Sequence, residues 1–171
     1  MNFFKRNVKV LPIIGGFLAI ISILMPTSFH TEIGNTYFVW INQLYLRIDP
    51  TPIAIGLLRT DLTLVIFSIT FGLIIVSSSV TIITATLLCK KFSKILSENK
   101  KIWITVALLI AISTLSWIIM MEVFYMIYGY NHWITSGGGY IPYFGVIGPF
   151  IGTIIIIIGV LFDKNSNRSI N

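Results

Sequence analysis

Glu122 is the only carboxylate set within a hydrophobic stretch of this chain. An ionisable side chain in such a place points to a conduction or proton site, or to a structural ion pair. Twenty helical residues counted from the preceding lysines carry position 122 about 30 Å across, to the far interface and not the midplane. The expected role is therefore a headgroup-level ion pair with an outer cation, Arg59 or else Arg47; a proton site and plain exposure are the competing readings. His30 and His132, with Glu32, Asp49 and Asp61, could supply zinc or copper ligands. No pair of them has i, i+4 or short-loop spacing, and neither histidine is mid-span, so neither a metal nor haem is expected.

The lone Cys89 excludes an internal disulfide, a Cys-x-x-Cys redox pair and any Cys-based metal cluster. Beside Lys90 and Lys91 it is a candidate for S-acylation, with an idle thiol as the alternative. No Ser–His–Asp order or HExxH is present, and Gly137–Gly139 lacks the Lys-Ser/Thr of a phosphate loop. No catalytic group and no cofactor is expected.

Small residues are better placed. Gly148 and Gly152 form GxxxG, with Gly145 one turn earlier; Gly15 and Ala19, and Ser68 and Gly72, repeat the small-xxx-small spacing. Such spacing lines one helix face with small side chains, so that backbones approach closely inside lipid. Contacts within one bundle are expected, with partner or homomeric contacts as the alternative. Pro149, inside the motif, is expected to kink or tilt its helix.

The elements that must hold these residues follow from composition. Of 171 residues, 56% are apolar and 11% charged, against about 25% charged in a soluble domain. That excludes a soluble enzyme, a nucleic-acid module and a disordered tail. Uncharged runs predict four spans at about 10–29, 62–89, 102–127 and 143–162. Outer loops cover 30–61 and 128–142, and a short cytoplasmic loop covers 90–101. The net charge of +6 has a topological reading, because ten of the twelve cations fall on one side of this arrangement. The positive-inside rule then places both termini in the cytoplasm. A cleaved signal peptide competes for the first span, but no A-x-A-like site follows Met25.

The first outer loop reads Thr36-Tyr-Phe-Val-Trp-Ile-Asn-Gln-Leu-Tyr-Leu-Arg47, a composition that favours strands. A small sheet is expected there, joined by one strand from the second loop; an aromatic belt at the headgroups is the alternative. The Ile21-Ser-Ile-Leu-Met-Pro26 exit, Trp40 followed by Leu44-Tyr45, and Gly56-Leu-Leu-Arg59 before the second span resemble the claudin and peripheral-myelin-protein superfamily. The loop cysteines of that family are missing, and Tyr45 stands where it has a second Trp. The resemblance implies an all-α membrane fold, a left-handed four-helix bundle under an extracellular sheet, with Trp40 and Tyr45 in the aromatic core of the loop. It does not carry over a tight-junction barrier.

The function expected is contact without catalysis: a claudin-like organising or adhesion protein, or a small subunit of a membrane complex. Its partners would be membrane lipids and a membrane protein or a second copy, not nucleic acid. The alternative is a channel or transporter component, for which Thr105, Ser113, Thr114, Ser77, Ser78 and Ser79 are the available polar groups.

Overall fold

The computed structural model describes residues 10–32, 35–42, 44–48, 54–57, 62–88, 100–127 and 141–162. Four helices and five strands follow one another: α1 (Val10–Leu24), β1 (Ser28–Glu32), β2 (Asn35–Val39), β3 (Leu44–Ile48), β4 (Ala54–Leu57), α2 (Leu62–Leu88), α3 (Lys100–Ile127), β5 (Ile141–Pro142) and α4 (Phe144–Phe162). Three stretches, Leu62–Leu87, Lys100–Phe124 and Phe144–Phe162, are long and apolar enough to cross a membrane. The described part of α1 has 15 residues, or about 22 Å.

The first span was expected to run to Phe29, but the helix stops at Leu24 and Phe29 lies in β1. Pro26 explains the early stop. It has no N–H to donate, and its ring pushes Met25 out of the helical region. The chain past it finds sheet partners instead. The other boundaries fall within two residues of the hydropathy runs. α3 takes in Lys100 and Lys101, whose long stems can lie along the apolar surface with the ammonium groups in water.

Each helix packs on its neighbours in the order α1, α2, α3, α4 and back to α1, with the α1–α4 pairing the most extensive. Between them lies a core of Ile75, Ile82, Ile110, Trp117, Met121 and Ile156, all at most 2% exposed. The strands form one antiparallel sheet in the order β4-β3-β2-β1-β5. The second loop therefore contributes β5 to the edge of a sheet built from the first loop.

Candidate functional site

Two joints fix how the helices and the sheet present themselves. The first is the α1–α4 seam. A Cβ built on Gly152 would lie 2.6 Å from the carbonyl oxygen of Gly15 and 3.3 Å from the Ala19 Cβ. One built on Gly15 would lie 2.5 Å from the carbonyl oxygen of Gly152. Gly148 faces the Ser22 hydroxyl so closely that any side chain there would overlap it. Further along, Gly159 meets Pro12, while Gly16 turns towards α2, where its Cβ would stand 2.7 Å from Ile83 Cγ1. Small residues thus let two backbones touch along most of α1. Pro149 sits inside α4, buried, without ending the helix.

Ser68 and Gly72 have the same spacing but a different surrounding. The nearest atom to a Cβ on Gly72 is Ile41 Cγ2 at 3.9 Å, an ordinary contact. Ser68 accepts a hydrogen bond from the Trp117 indole at 3.1 Å. Here the small residues make room for a tryptophan and a turn, not for another helix backbone.

The second joint ties the sheet to the helices. The fully buried Trp117 shares its Nε1–H between Ser68 Oγ and the carbonyl oxygen of Ile41 in the β2–β3 turn, each at 3.1 Å. One side chain from α3 therefore binds α2 and the sheet together. Its burial demands such acceptors, since a desolvated indole N–H left alone costs about 1–3 kcal/mol. On the other side, Thr27 donates through both its amide (2.6 Å) and its hydroxyl (2.8 Å) to the Val39 carbonyl. The carbonyls of Thr27 and Pro26 accept from the amides of Tyr143 and Gly145, both at 2.8 Å. The exit of α1 thereby satisfies donors that the first turn of α4 would otherwise leave unpaired. A Cβ on Gly145 would strike these same carbonyls, 2.5 Å from that of Pro26 and 2.6 Å from that of Met25.

Trp40 and Tyr45 were expected in an aromatic loop core. The half-buried Trp40 donates its Nε1–H to the Leu24 carbonyl at 3.0 Å, closing the end of α1. Tyr45 is paired through its backbone with Val39 and Gly56; its side chain lies outside the described residues. Aromatic contacts run across the sheet from Phe38 to Phe29, centroids 6.4 Å apart, and on from Phe29 edge-on to Tyr143, just before α4, at 5.9 Å.

The register shows what the sheet displays. Residues directly opposite one another share a face. Ile141, Phe29, Phe38 and Leu46 are successive partners across four strands. Leu44 and Ile48 flank Leu46 on that same face. Leu44 is 40% exposed, Ile48 44% and Ile141 54%. The opposite face holds Ser28 and Val39, both fully buried. Among the described side chains the apolar face is the more open one, exposed at Leu44, Ile48 and Ile141 and half-buried at Phe29, Phe38 and Leu46, and it runs on through Tyr143 into exposed Ile147, Ile151 and Ile158 of α4.

Glu122 is half-buried, five residues beyond Trp117 and so at the sheet end of α3. Its expected partner Arg59 lies outside the described residues, as do Cys89 and His132; Arg47 is placed in β3 by its backbone alone. Among the described residues no cluster of three His, Cys, Asp or Glu could hold a metal ion. Four of the six polar groups available for transport spend their donors on backbone carbonyls: Ser79 on Ile75 (2.7 Å), Thr114 on Ile110 (2.9 Å), Thr105 on Lys101 (2.9 Å) and Ser77 on Ile74 (3.1 Å); Ser78 and Ser113 are buried. Thr153 reaches across from α4 to the Ala107 carbonyl of α3 at 3.2 Å.

What these features define is a mostly helical chain, three of whose helices can cross a membrane, carrying a small sheet with an open apolar face. Compared with models of known protein families and with curated proteins, the chain matches none.

Proposed function

We propose that this chain is a non-enzymatic membrane protein of four spans, with its sheet outside and both termini in the cytoplasm. It works by contact with another protein of the same membrane, as a claudin-like organiser or a small subunit of a larger complex. The observation that carries this reading is the apolar sheet face and its continuity with the exposed stripe of α4. An apolar sheet face beyond the helix ends lies at the level of headgroups and water, where lipid offers no hydrocarbon to cover it. Exposed apolar patches of this kind mark interaction sites. Continuity with α4 favours a partner approaching from the side over one reaching across from an opposing membrane. The two joints support the reading too, since a surface held by buried hydrogen bonds is presented without a large ordering cost.

Photo-crosslinking residues at Leu44, Ile48 and Tyr143 in native membranes test it, with exposed Leu87 as the control. The expected result is one protein adduct shared by the three positions and missing at Leu87. Lipid adducts alone at all four would overturn the proposal. A channel or transporter component is the alternative reading. It is less favoured because the hydroxyls of Ser77, Ser79, Thr105 and Thr114 are bonded to carbonyls of their own helices and the space between the helices is filled by Ile75, Ile110 and Trp117.

A further inference from the structure

The four helices are level at one end and not at the other. Gly16 of α1 faces Ser79 and Ile83 of α2, so eight residues outward along each helix bring Leu24 level with about Leu73. Trp117 of α3 meets Ser68 of α2, which puts Ile112 at that same level. Gly148 of α4 meets Ser22, and Gly145 meets Met25 and Pro26, so α1 and α4 end together. Here the sheet takes over: Ile41 lies beside Gly72, and Trp40 bonds to Leu24. Meanwhile α2 runs on 11 residues from Leu73 to Leu62, and α3 runs on 15 from Ile112 to Ile127, about 16 and 22 Å. At the opposite end, Lys9, Lys90, Lys100 and Asp163 stand within two residues of the helix ends. Charges so placed pin the hydrocarbon boundary. From that boundary the 15 residues of α1, and the 17 steps from Phe162 to Gly145 in α4, reach about 22–26 Å. The 26 apolar residues of α2 reach about 39 Å. A bilayer core is about 30 Å thick.

We propose that the chain thins the bilayer along its α1–α4 flank, lowering the outer hydrocarbon boundary there by about 4–8 Å relative to the α2–α3 flank. A flat core of ordinary thickness would bury the base of the sheet. Among the described residues the sheet is open, ending in β4 on one side and β5 on the other. Such edges carry N–H and C=O groups that hydrocarbon cannot satisfy, and each of these costs more than an ångström of mismatch does. Moving the whole chain outward would instead draw Lys100 and Lys101, at the inner end of α3, into hydrocarbon. Tilting the bundle lowers the reach of α2 and α3 but shortens that of α1 and α4 as well. The lipid is the component that gives, because a bilayer thins beside a short apolar surface at modest cost.

This thinning rests on the four-span reading but needs no partner protein, so the purified full chain suffices. In a Cys89→Ser background, nitroxide labels are placed singly at Ile147, Leu73 and Ile112. All three are exposed and stand at one level of the bundle, on α4, α2 and α3. Exposed Ile154, two turns further in on α4, is the control. In dioleoylphosphatidylcholine vesicles, the ratio of collisions with oxygen to collisions with a water-soluble nickel chelate gives the depth of each label. The Ile147 label should lie about 4–8 Å shallower than those at Leu73 and Ile112, which should agree with each other. In dimyristoleoylphosphatidylcholine, whose thinner core matches α1 and α4 unaided, that gap should close. Equal depths at the three positions in the dioleoyl lipid would overturn the proposal, because the sheet would then be sunk in hydrocarbon. A gap that persists undiminished in the thinner lipid would do the same, since it would belong to the helices and not to the bilayer. The Ile154 label separates this failure from that of the reading beneath it. Free access of the chelate there would mean that α4 does not cross, and the four-span reading would fall together with the thinning. A protected Ile154 beside equal depths removes the thinning alone.

Discussion

Replacing Gly152 with alanine adds a single methyl group, yet the surroundings make it a severe change. The new Cβ would sit 2.6 Å from the carbonyl oxygen of Gly15. That neighbour is backbone of another helix, so no rotamer change can relieve the overlap; α1 and α4 must move apart along their tightest seam. Overpacking of this sort costs about 1–3 kcal/mol, and a clash with backbone belongs at the top of that range. Gly72→Ala is the internal control, because its Cβ meets nothing nearer than Ile41 Cγ2 at 3.9 Å. There the substitution should be neutral or should stabilise by up to about 1 kcal/mol, the helix-propensity gain of alanine over glycine. The two variants should therefore differ by about 3–4 kcal/mol in reversible denaturant unfolding from mild detergent micelles, with only Gly152→Ala destabilising. Equal effects, or a harmless Gly152→Ala, would refute the packing derived for the α1–α4 seam.

Three further outcomes follow from the joints. Gly148→Ala should destabilise the protein, and Ser22→Gly should recover about 1–2 kcal/mol of that loss by removing the atoms in the way; additive losses in the double variant would contradict the contact. Trp117→Phe should cost about 2–3 kcal/mol, because it leaves the Ile41 carbonyl without its buried donor, whereas Ser68→Ala keeps that bond and should cost under about 1 kcal/mol. Equal losses from the pair would show that the indole does not bridge α2 and the sheet. Ser28→Ala should be neutral or raise the melting temperature, since the Ser28 hydroxyl is buried with no hydrogen-bond partner among the described residues; a clear fall would mean that the hydroxyl is engaged.

Hydropathy runs made the helices legible, because burial in hydrocarbon selects length and apolarity directly. The same criterion overran the end of α1. Charge ends a run in such a scan, but Pro26 ends the helix through backbone chemistry that hydropathy does not register. Aromatic and β-branched residues between positions 36 and 47 announced strands, and the strand expected from the second loop is β5; composition did not say that it would pair with β1 at the edge. Spacing identified Gly148, Gly152, Gly15 and Ala19 as able to admit close neighbours. It identified Ser68 and Gly72 equally well and gave no sign that an indole and a turn fill that side. Spacing reports which side chains are small, and only tertiary contact reports what occupies the room. Trp117, Thr27 and Ser22 were passed over for the same reason. A tryptophan in the middle of an apolar helix flanked by Ser113, Thr114 and Ser116 was the available signal, since its N–H must find an acceptor when buried.

The central claim is a sheet carried outside on four crossings, with both termini in the cytoplasm, and it is tested most directly by labelling with a membrane-impermeant maleimide. In a Cys89→Ser background, single cysteines at Gly34, Ser93 and Ser166 are each treated in intact cells and again after permeabilisation. Gly34→Cys should label in intact cells, whereas Ser93→Cys and Ser166→Cys should label only once the membrane is opened. Protection of Gly34→Cys in intact cells, or labelling of Ser93→Cys and Ser166→Cys from opposite sides, would contradict it.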